Sequence, residues 1–468
     1  MKLGLDALWF STAIIFAKCA GLLSQIVLGW LLTKEQFGVY AIANSLIVTV
    51  ALLRNGGTQQ LLVQRGEAYS ELAPKIFSFS LLFNLLAFCL LTTVGLAASK
   101  YYSLPELRYL CLIMGMSIVF TTPALILKAS AQISDRIRVL ALAIASSNII
   151  RQGLVVLLAF AGLGVFSFVI PAAIEPLALG AILYYYLRSF PTPKIPYLSE
   201  FRNIFAQSKW IMLTNLAVAL RHNGQYLAVS VFESNDMLGV YFFAMQLITS
   251  GVSVFTSAIE EVAFPKLSAV QNDGEAHSVA FSTGMRYSIA GGLLIAMLVF
   301  AVAPEFIRYV WSGKWDEAIF AVVVLAAGVP GIISTTFCVA ILASKGLWKA
   351  RLQGLGVLAL GDALTAGVAA YFGDVGLVSV SVTLFRIVVA TILFYCVTRI
   401  LSSKWALSAA DLVALLIPLV WFIPMLVAEC VGSFDIIEFP CKCAVLLGTA
   451  GYYWFFVGHW FPYRRREN

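Results

Sequence analysis

About fourteen runs of roughly twenty apolar residues recur along this chain, and together they leave it one environment. They fall at 8–32, 37–53, 76–98, 109–127, 139–162, 165–187, 210–232, 238–264, 287–307, 318–343, 352–372, 375–397, 412–430 and 443–461. A bilayer core about 30 Å thick is crossed by roughly 20 residues in helix. Inside it no water pairs with the backbone, so each run must satisfy its own amides as a helix. Only 12% of the residues are charged, against about 25% in soluble domains. A soluble enzyme and a disordered chain are both excluded, because neither hides so much apolar surface. The expected fold class is an all-α polytopic membrane protein with about 14 transmembrane helices.

Charge sets the expected orientation. With the N-terminus inside, segments on the cytoplasmic side carry 21 of the 31 Lys and Arg, and those opposite carry six. This is the positive-inside asymmetry, and it predicts cytoplasmic N- and C-termini. The first run is too long for a signal-peptide core and is expected to stay as a helix. No loop exceeds about two dozen residues, which leaves no room for the catalytic domain of a membrane glycosyltransferase or polymerase. No metal-ligand spacing, P-loop or nucleophile elbow is present, and no basic cluster of the nucleic-acid kind accompanies the net charge of +7. The expectation is no enzyme, no metal, no cofactor and no nucleic-acid partner.

An internal repeat organises the spans. Gly38-Val39-Tyr40-Ala41-Ile42-Ala43 opens the second run, and Gly239-Val240-Tyr241-Phe242-Phe243-Ala244 opens the eighth, at a constant offset of 201 residues. An even number of spans separates the copies, so both halves face the same way, as in parallel-repeat transporters. The expected division is an N-lobe over 1–187, a cytoplasmic linker over 188–209, a C-lobe over 210–400, and two further helices with a basic tail over 401–468. The two six-helix lobes are expected to be pseudo-symmetric.

Ionisable residues near mid-span cost about 2.5–3.5 kcal/mol each on insertion scales and so are functional candidates. Arg151 and Glu175 lie 24 residues apart on consecutive spans, and so do Asp362 and Arg386. Each couple is read as an intramembrane ion pair that fixes helix rotation, or as a site where a carboxyl couples transport to a proton or sodium gradient. Pro171 and Pro176 bracket Glu175 and are expected to free backbone groups beside it. Lys18 and Arg221, with His222, bring cations to mid-span with no acid nearby in sequence. They are the candidate site for an anionic ligand in an aqueous cavity between the lobes. Arg54, Glu260 and Glu261, near cytoplasmic ends of spans, are candidate gate residues.

Several short motifs point to a family. They are Phe37-Gly38-Val39-Tyr40-Ala41, Arg54-Asn55-Gly56-Gly57 with Leu61-Leu62-Val63-Gln64, Gly239-Val240-Tyr241, Phe264-Pro265-Lys266-Leu267-Ser268, Gly313-Lys314-Trp315 and Ala343-Ser344-Lys345-Gly346. In order and spacing the chain resembles the polysaccharide transporter branch of the multidrug/oligosaccharidyl-lipid/polysaccharide (MOP) exporter superfamily, which includes Wzx-type O-antigen flippases. The resemblance implies two six-helix lobes, alternating access and a multi-pass place in the bacterial inner membrane. It also implies a polyprenyl-pyrophosphate-linked oligosaccharide as substrate, for surface polysaccharide such as O-antigen, capsule or exopolysaccharide. Polysaccharide polymerase and glycosyltransferases would be its partners, besides membrane lipids. A lipid II flippase and a multidrug and toxin extrusion (MATE) antiporter of drugs or cations are the alternatives.

Overall fold

The computed structural model describes residues 2–64, 69–134, 136–259, 267 and 273–400. The expected spans at 412–430 and 443–461, and the candidate gate residues Glu260 and Glu261, lie outside the described residues. Among the described residues every regular element is a helix. The longer ones are α1 (Lys2–Leu31), α2 (Lys34–Ser45), α3 (Thr58–Gln64), α4 (Tyr69–Tyr101), α5 (Glu106–Ile133), α6 (Ile137–Phe160) and α7 (Phe166–Leu187). They continue with α8 (Leu198–Val229), α9 (Asn235–Ala258), α10 (Gly274–Trp311), α11 (Glu317–Ala327), α12 (Val329–Ser344), α13 (Trp348–Phe372) and α14 (Val375–Ile400). Among the described residues, helices α4, α5, α6, α7, α10, α13 and α14 are each long and apolar enough to cross a bilayer, and the bent pair α11–α12 is so only when its two helices are taken together.

Helix α4 shows why lipid is needed. Phe79, Phe83, Ala87 and Leu91 are buried on one face, while Leu82, Leu85, Leu86 and Leu90 are exposed on another. A helix apolar on both faces has no water-facing side. The chain therefore spans a membrane several times.

Two compact units divide the chain. The first comprises Met1–Phe243 and Lys349–Val378; the second comprises Ala244–Trp348 and the described residues from Ser379 onward. In the first unit α5 packs on both α4 and α7, and α6 on both α1 and α7. Phe79, Phe83 and Phe201 stack beside Leu61, Leu62, Leu125 and Ile126 as one core cluster. In the second unit α10 packs on α11 and α12. The Gly292 position allows that approach, since a Cβ there would sit 2.5 Å from Pro330 Cα.

The repeat is visible in a reciprocal contact within the first unit. A Cβ on Gly38 would lie 1.9 Å from the Asn235 carbonyl oxygen, and one on Gly239 would lie 1.9 Å from the Lys34 carbonyl oxygen. Positions 34 and 235 share the 201-residue offset of the two glycines. Each repeat glycine thus meets the first turn of the other's helix, the mutual contact a two-fold relation produces. Thr33 caps α2, accepting from the Gln36 N–H at 3.2 Å while Gln36 accepts from the Thr33 N–H at 3.0 Å.

Two of the expected spans are broken in the structure. The run 37–53 is not one helix. Helix α2 stops at Ser45, a 3-10 turn covers Leu46–Val50, and a second covers Arg54–Gly57. Ser45 and Thr49 hydroxyls donate to the carbonyls of Ile42 and Leu46, local bonds that compete with the α-helical ladder. The run 318–343 is bent by 44° between α11 and α12. Gly328 and Pro330 sit at the junction, and Pro330 has no N–H to continue the ladder. Helix α8 begins at Leu198, inside the stretch 188–209. Arg188 ends α7 in a left-handed conformation with φ of 52°.

Candidate functional site

The break after α2 is the best-organised polar feature of the first unit. Asn55, Gly56 and Gly57 have φ of 59°, 55° and 67°, a left-handed stretch open mainly to Gly and Asn. A side chain on Gly56 would also collide with Phe79, 2.7 Å from its Cβ position. The turn is held from three helices. The Asn55 N–H donates to Asn84 Oδ1 at 2.7 Å. Asn84 Nδ2 donates to Asn55 Oδ1 at 3.1 Å and to Thr122 Oγ at 2.9 Å. Thr121 Oγ donates to Asn55 Oδ1 at 3.1 Å, and Thr58 Oγ to the Asn55 carbonyl at 2.7 Å. Asn84, Thr58, Ser80 and Thr122 are fully buried. Buried polar groups are affordable in such a setting only when this fully satisfied.

Beside this turn lies a cavity of about 450 Å³ within the first unit. Arg54 and Asn55 enter it from the turn, Lys128 and Thr121 from α5, Arg151 from α6, and Glu175 from α7. Irregular backbone at membrane depth is tolerated where it lines a cavity of this kind. Arg151 Nη1 pairs with Glu175 Oε2 at 3.3 Å, with the side chains 33% and 26% exposed. The buried Nε of Arg151 has no hydrogen-bond partner. Pro176 lacks the N–H that would meet the Ala172 carbonyl one turn back. The Ser117 hydroxyl of α5 fills that place at 2.9 Å, and all three residues line the cavity. The lining carries three cations and one carboxylate, a formal excess of two positive charges.

The sequence expectations divide here. Arg151 and Glu175 are brought together, and Arg54 shares their cavity. Lys18, Arg221 and His222 do not line it. Each of those three has an interaction partner, so the lack of a sequence-local acid is not by itself a demand for a ligand. Asp362 is 2% exposed in the first unit and Arg386 8% exposed in the second. Arg386 Nη1 lies 3.9 Å from Met245 Sδ, on α9. The apolar run 109–127 ends one residue short of Lys128, so the sequence alone reads it as a loop cation. Helix α5 continues to Ile133 and places it in the cavity. Asn55 enters the sequence reading only as part of the motif Arg54-Asn55-Gly56-Gly57, and Asn84 and Thr121 do not enter it. The signal for the first was the triplet Asn55-Gly56-Gly57, which favours positive φ; for the second it was a lone amide in mid-span.

Residues 27–320 match the family described as polysaccharide biosynthesis protein. The chain belongs to that family. A search of curated proteins by sequence finds no match. Among solved structures, the chain is similar to the lipid II flippase MurJ in an inward closed conformation. That match has a TM-score of 0.68 and 13% identity, and covers 95% of this chain and 98% of that one. It is also similar to a multidrug resistance MATE family transporter of the MOP superfamily in an inward-facing conformation. There the TM-score is 0.61 at 14% identity, covering 84% and 94%. The Vibrio cholerae MATE transporter VcmN in its bent form aligns with a TM-score of 0.57 at 12% identity, covering 86% and 98%. At these identities the likeness is one of fold. The family member described here has the all-helical fold of MOP-superfamily transporters.

Proposed function

We propose that this protein is a flippase for polyprenyl-diphosphate-linked oligosaccharide repeat units in the inner membrane, serving synthesis of a surface polysaccharide. The observation that carries the reading is the charge of the cavity. Arg54, Lys128 and Arg151 against Glu175 leave an excess of two positive charges. A diphosphate diester joins lipid to sugar with one negative charge on each phosphate. A low-dielectric site with matching charge replaces the hydration that such a head group loses at membrane depth. Its volume of about 450 Å³ is at the lower end for ligand pockets, which run about 300–1,000 Å³. That suits the diphosphate with an adjoining sugar, while the rest of the oligosaccharide and the prenyl chain stay outside it. Membership of a polysaccharide biosynthesis family supports the substrate class.

The same charge argues against export of cationic drugs, which a net positive site repels. Lipid II also carries a diphosphate, so the sugar distinguishes that alternative. The Arg151–Glu175 pair is the proposed place for coupling to a proton or sodium gradient. The test uses proteoliposomes holding a polyprenyl-diphosphate-linked oligosaccharide, with lipid II in parallel, and a membrane-impermeant reagent to report leaflet exposure. Transfer of the oligosaccharide lipid by wild type, lost in Arg151→Ala and Arg54→Ala, is expected. Transfer of neither lipid, or undiminished transfer by both variants, overturns the proposal.

A further inference from the structure

The left-handed turn does more than break a helix. Its hydrogen bonds fix which way two carboxamides face. The backbone N–H of Asn55 can only donate, so the Asn84 atom 2.7 Å away must be its oxygen. Asn84 therefore turns its NH2 toward Thr122 and the Asn55 side chain. The atom of Asn55 that receives this donor must in turn be Oδ1. No protein group among the described residues accepts from the remaining Asn55 Nδ2. Asn55 lines the cavity together with Arg54, Lys128 and Arg151.

From this chain of constraints we infer that the Asn55 side-chain NH2 is a pre-oriented donor to a phosphate oxygen, and that it selects for an anion in the cavity. Asn84 is its positioning residue. Donors aimed before the ligand arrives cost no reorganisation on binding. A neutral NH2 beside three cations also adds a directional contact that the charges alone lack. The inference rests on reading this cavity as the diphosphate site.

The test is binding of inorganic pyrophosphate to the purified full chain, wild type against variants, with thermal unfolding recorded for each. Asn55→Asp keeps a side chain that tolerates positive φ and keeps the oxygen that accepts from Asn84 and Thr121, but it presents a carboxylate where the NH2 stood. Asn55→Gly keeps the backbone conformation and removes the side chain altogether. If Asn55 only stabilises the turn, Gly is the more damaging change. If it donates to the anion, Asp is the more damaging one, with affinity falling roughly ten- to a hundred-fold. Asn84→Asp still accepts from the Asn55 N–H but no longer donates to Oδ1, and is expected to weaken binding by a smaller factor. Binding equal to wild type in both Asn55 variants, or a greater loss in the Gly variant, overturns the inference. If Asn55→Asp fails to fold, the comparison of Asn55→Gly with wild type decides, because a folded Gly variant that binds normally overturns it equally. Arg151→Ala and Arg54→Ala separate the two levels. Normal pyrophosphate binding in both removes the anion reading of the cavity itself, whereas loss there with unchanged Asn55 variants removes only the donor role.

Discussion

Replacing Gly38 by alanine puts one methyl group where the structure leaves no space. The new Cβ would sit 1.9 Å from the Asn235 carbonyl oxygen, against ordinary contact at 3.4 Å or more. The first turns of α2 and α9 must then part by about 1.5 Å. A backbone oxygen has no rotamer by which to escape, so the strain falls on the helix pair. Overpacking of this kind costs about 1–3 kcal/mol, and alanine recovers roughly 0.5–1 kcal/mol of helix propensity. The expected net loss is about 1 kcal/mol, the difference of the two mid-values. Gly239→Ala meets the Lys34 carbonyl oxygen at the same 1.9 Å and should cost as much. Because one separation of the two turns relieves both clashes, the double variant should lose at least about 1 kcal/mol less than the sum of the singles. The assay is reversible unfolding in mixed micelles, with denaturing detergent as the variable. Single variants as stable as wild type, or strictly additive losses in the double, would refute the close crossing.

Other perturbations follow from the same geometry. Arg151→Ala leaves Glu175 without its partner and should cost between the ~1 kcal/mol of an exposed pair and the ~3–5 kcal/mol of breaking a buried one. Adding Glu175→Gln should restore much of that stability but not transport, as unfolding and leaflet-exposure assays on the same preparations would show. Gly56→Ala combines a φ of 55° with a Cβ 2.7 Å from Phe79 and is expected to destabilise the first unit more than Gly153→Ala, whose Cβ meets nothing within 4 Å; equal unfolding midpoints would contradict this. The linker is expected to respond to acid. Glu200 accepts from Lys75 Nζ at 2.8 Å and from the Tyr197 N–H at 3.0 Å, and these bonds, the lysine's foremost, hold its carboxyl below the ordinary value of 4.5. A carboxyl depressed in the folded state stabilises above its unfolded pKa, and that contribution disappears as pH falls through the folded one. Protection of the Lys194 N–H, which donates to the Pro74 carbonyl, measured against its intrinsic exchange rate at each pH, should therefore fall below about pH 4.5 in wild type. Glu200→Gln should flatten that acid limb, and an unchanged pH profile would show that the contact does not hold the linker.

Hydropathy and charge are sums over neighbouring residues, so whatever depends on them could be read along the chain. The helical membrane class, the short loops and the repeat carried by Gly38 and Gly239 belong here. So does the pairing of Arg151 with Glu175, because one hairpin returns both residues to one depth. The site itself depends on atoms brought together from distant stretches of chain, and no local sum contains that. Arg54, Lys128, Arg151 and Glu175 come from four separate elements. Lys128 looked like a loop residue because polarity marks the end of an apolar run, whereas the helix ends where its hydrogen bonds do, at Ile133. After the expected span 37–53, which is itself broken at Ser45, come three consecutive residues of positive φ, Asn55 to Gly57. That conformation pays its way only through the bonds Asn84, Thr58 and Thr121 make to Asn55. Sequence determined that charges would be buried in this membrane protein; only the tertiary structure decided which of them share a cavity, because burial is set by composition and proximity by packing.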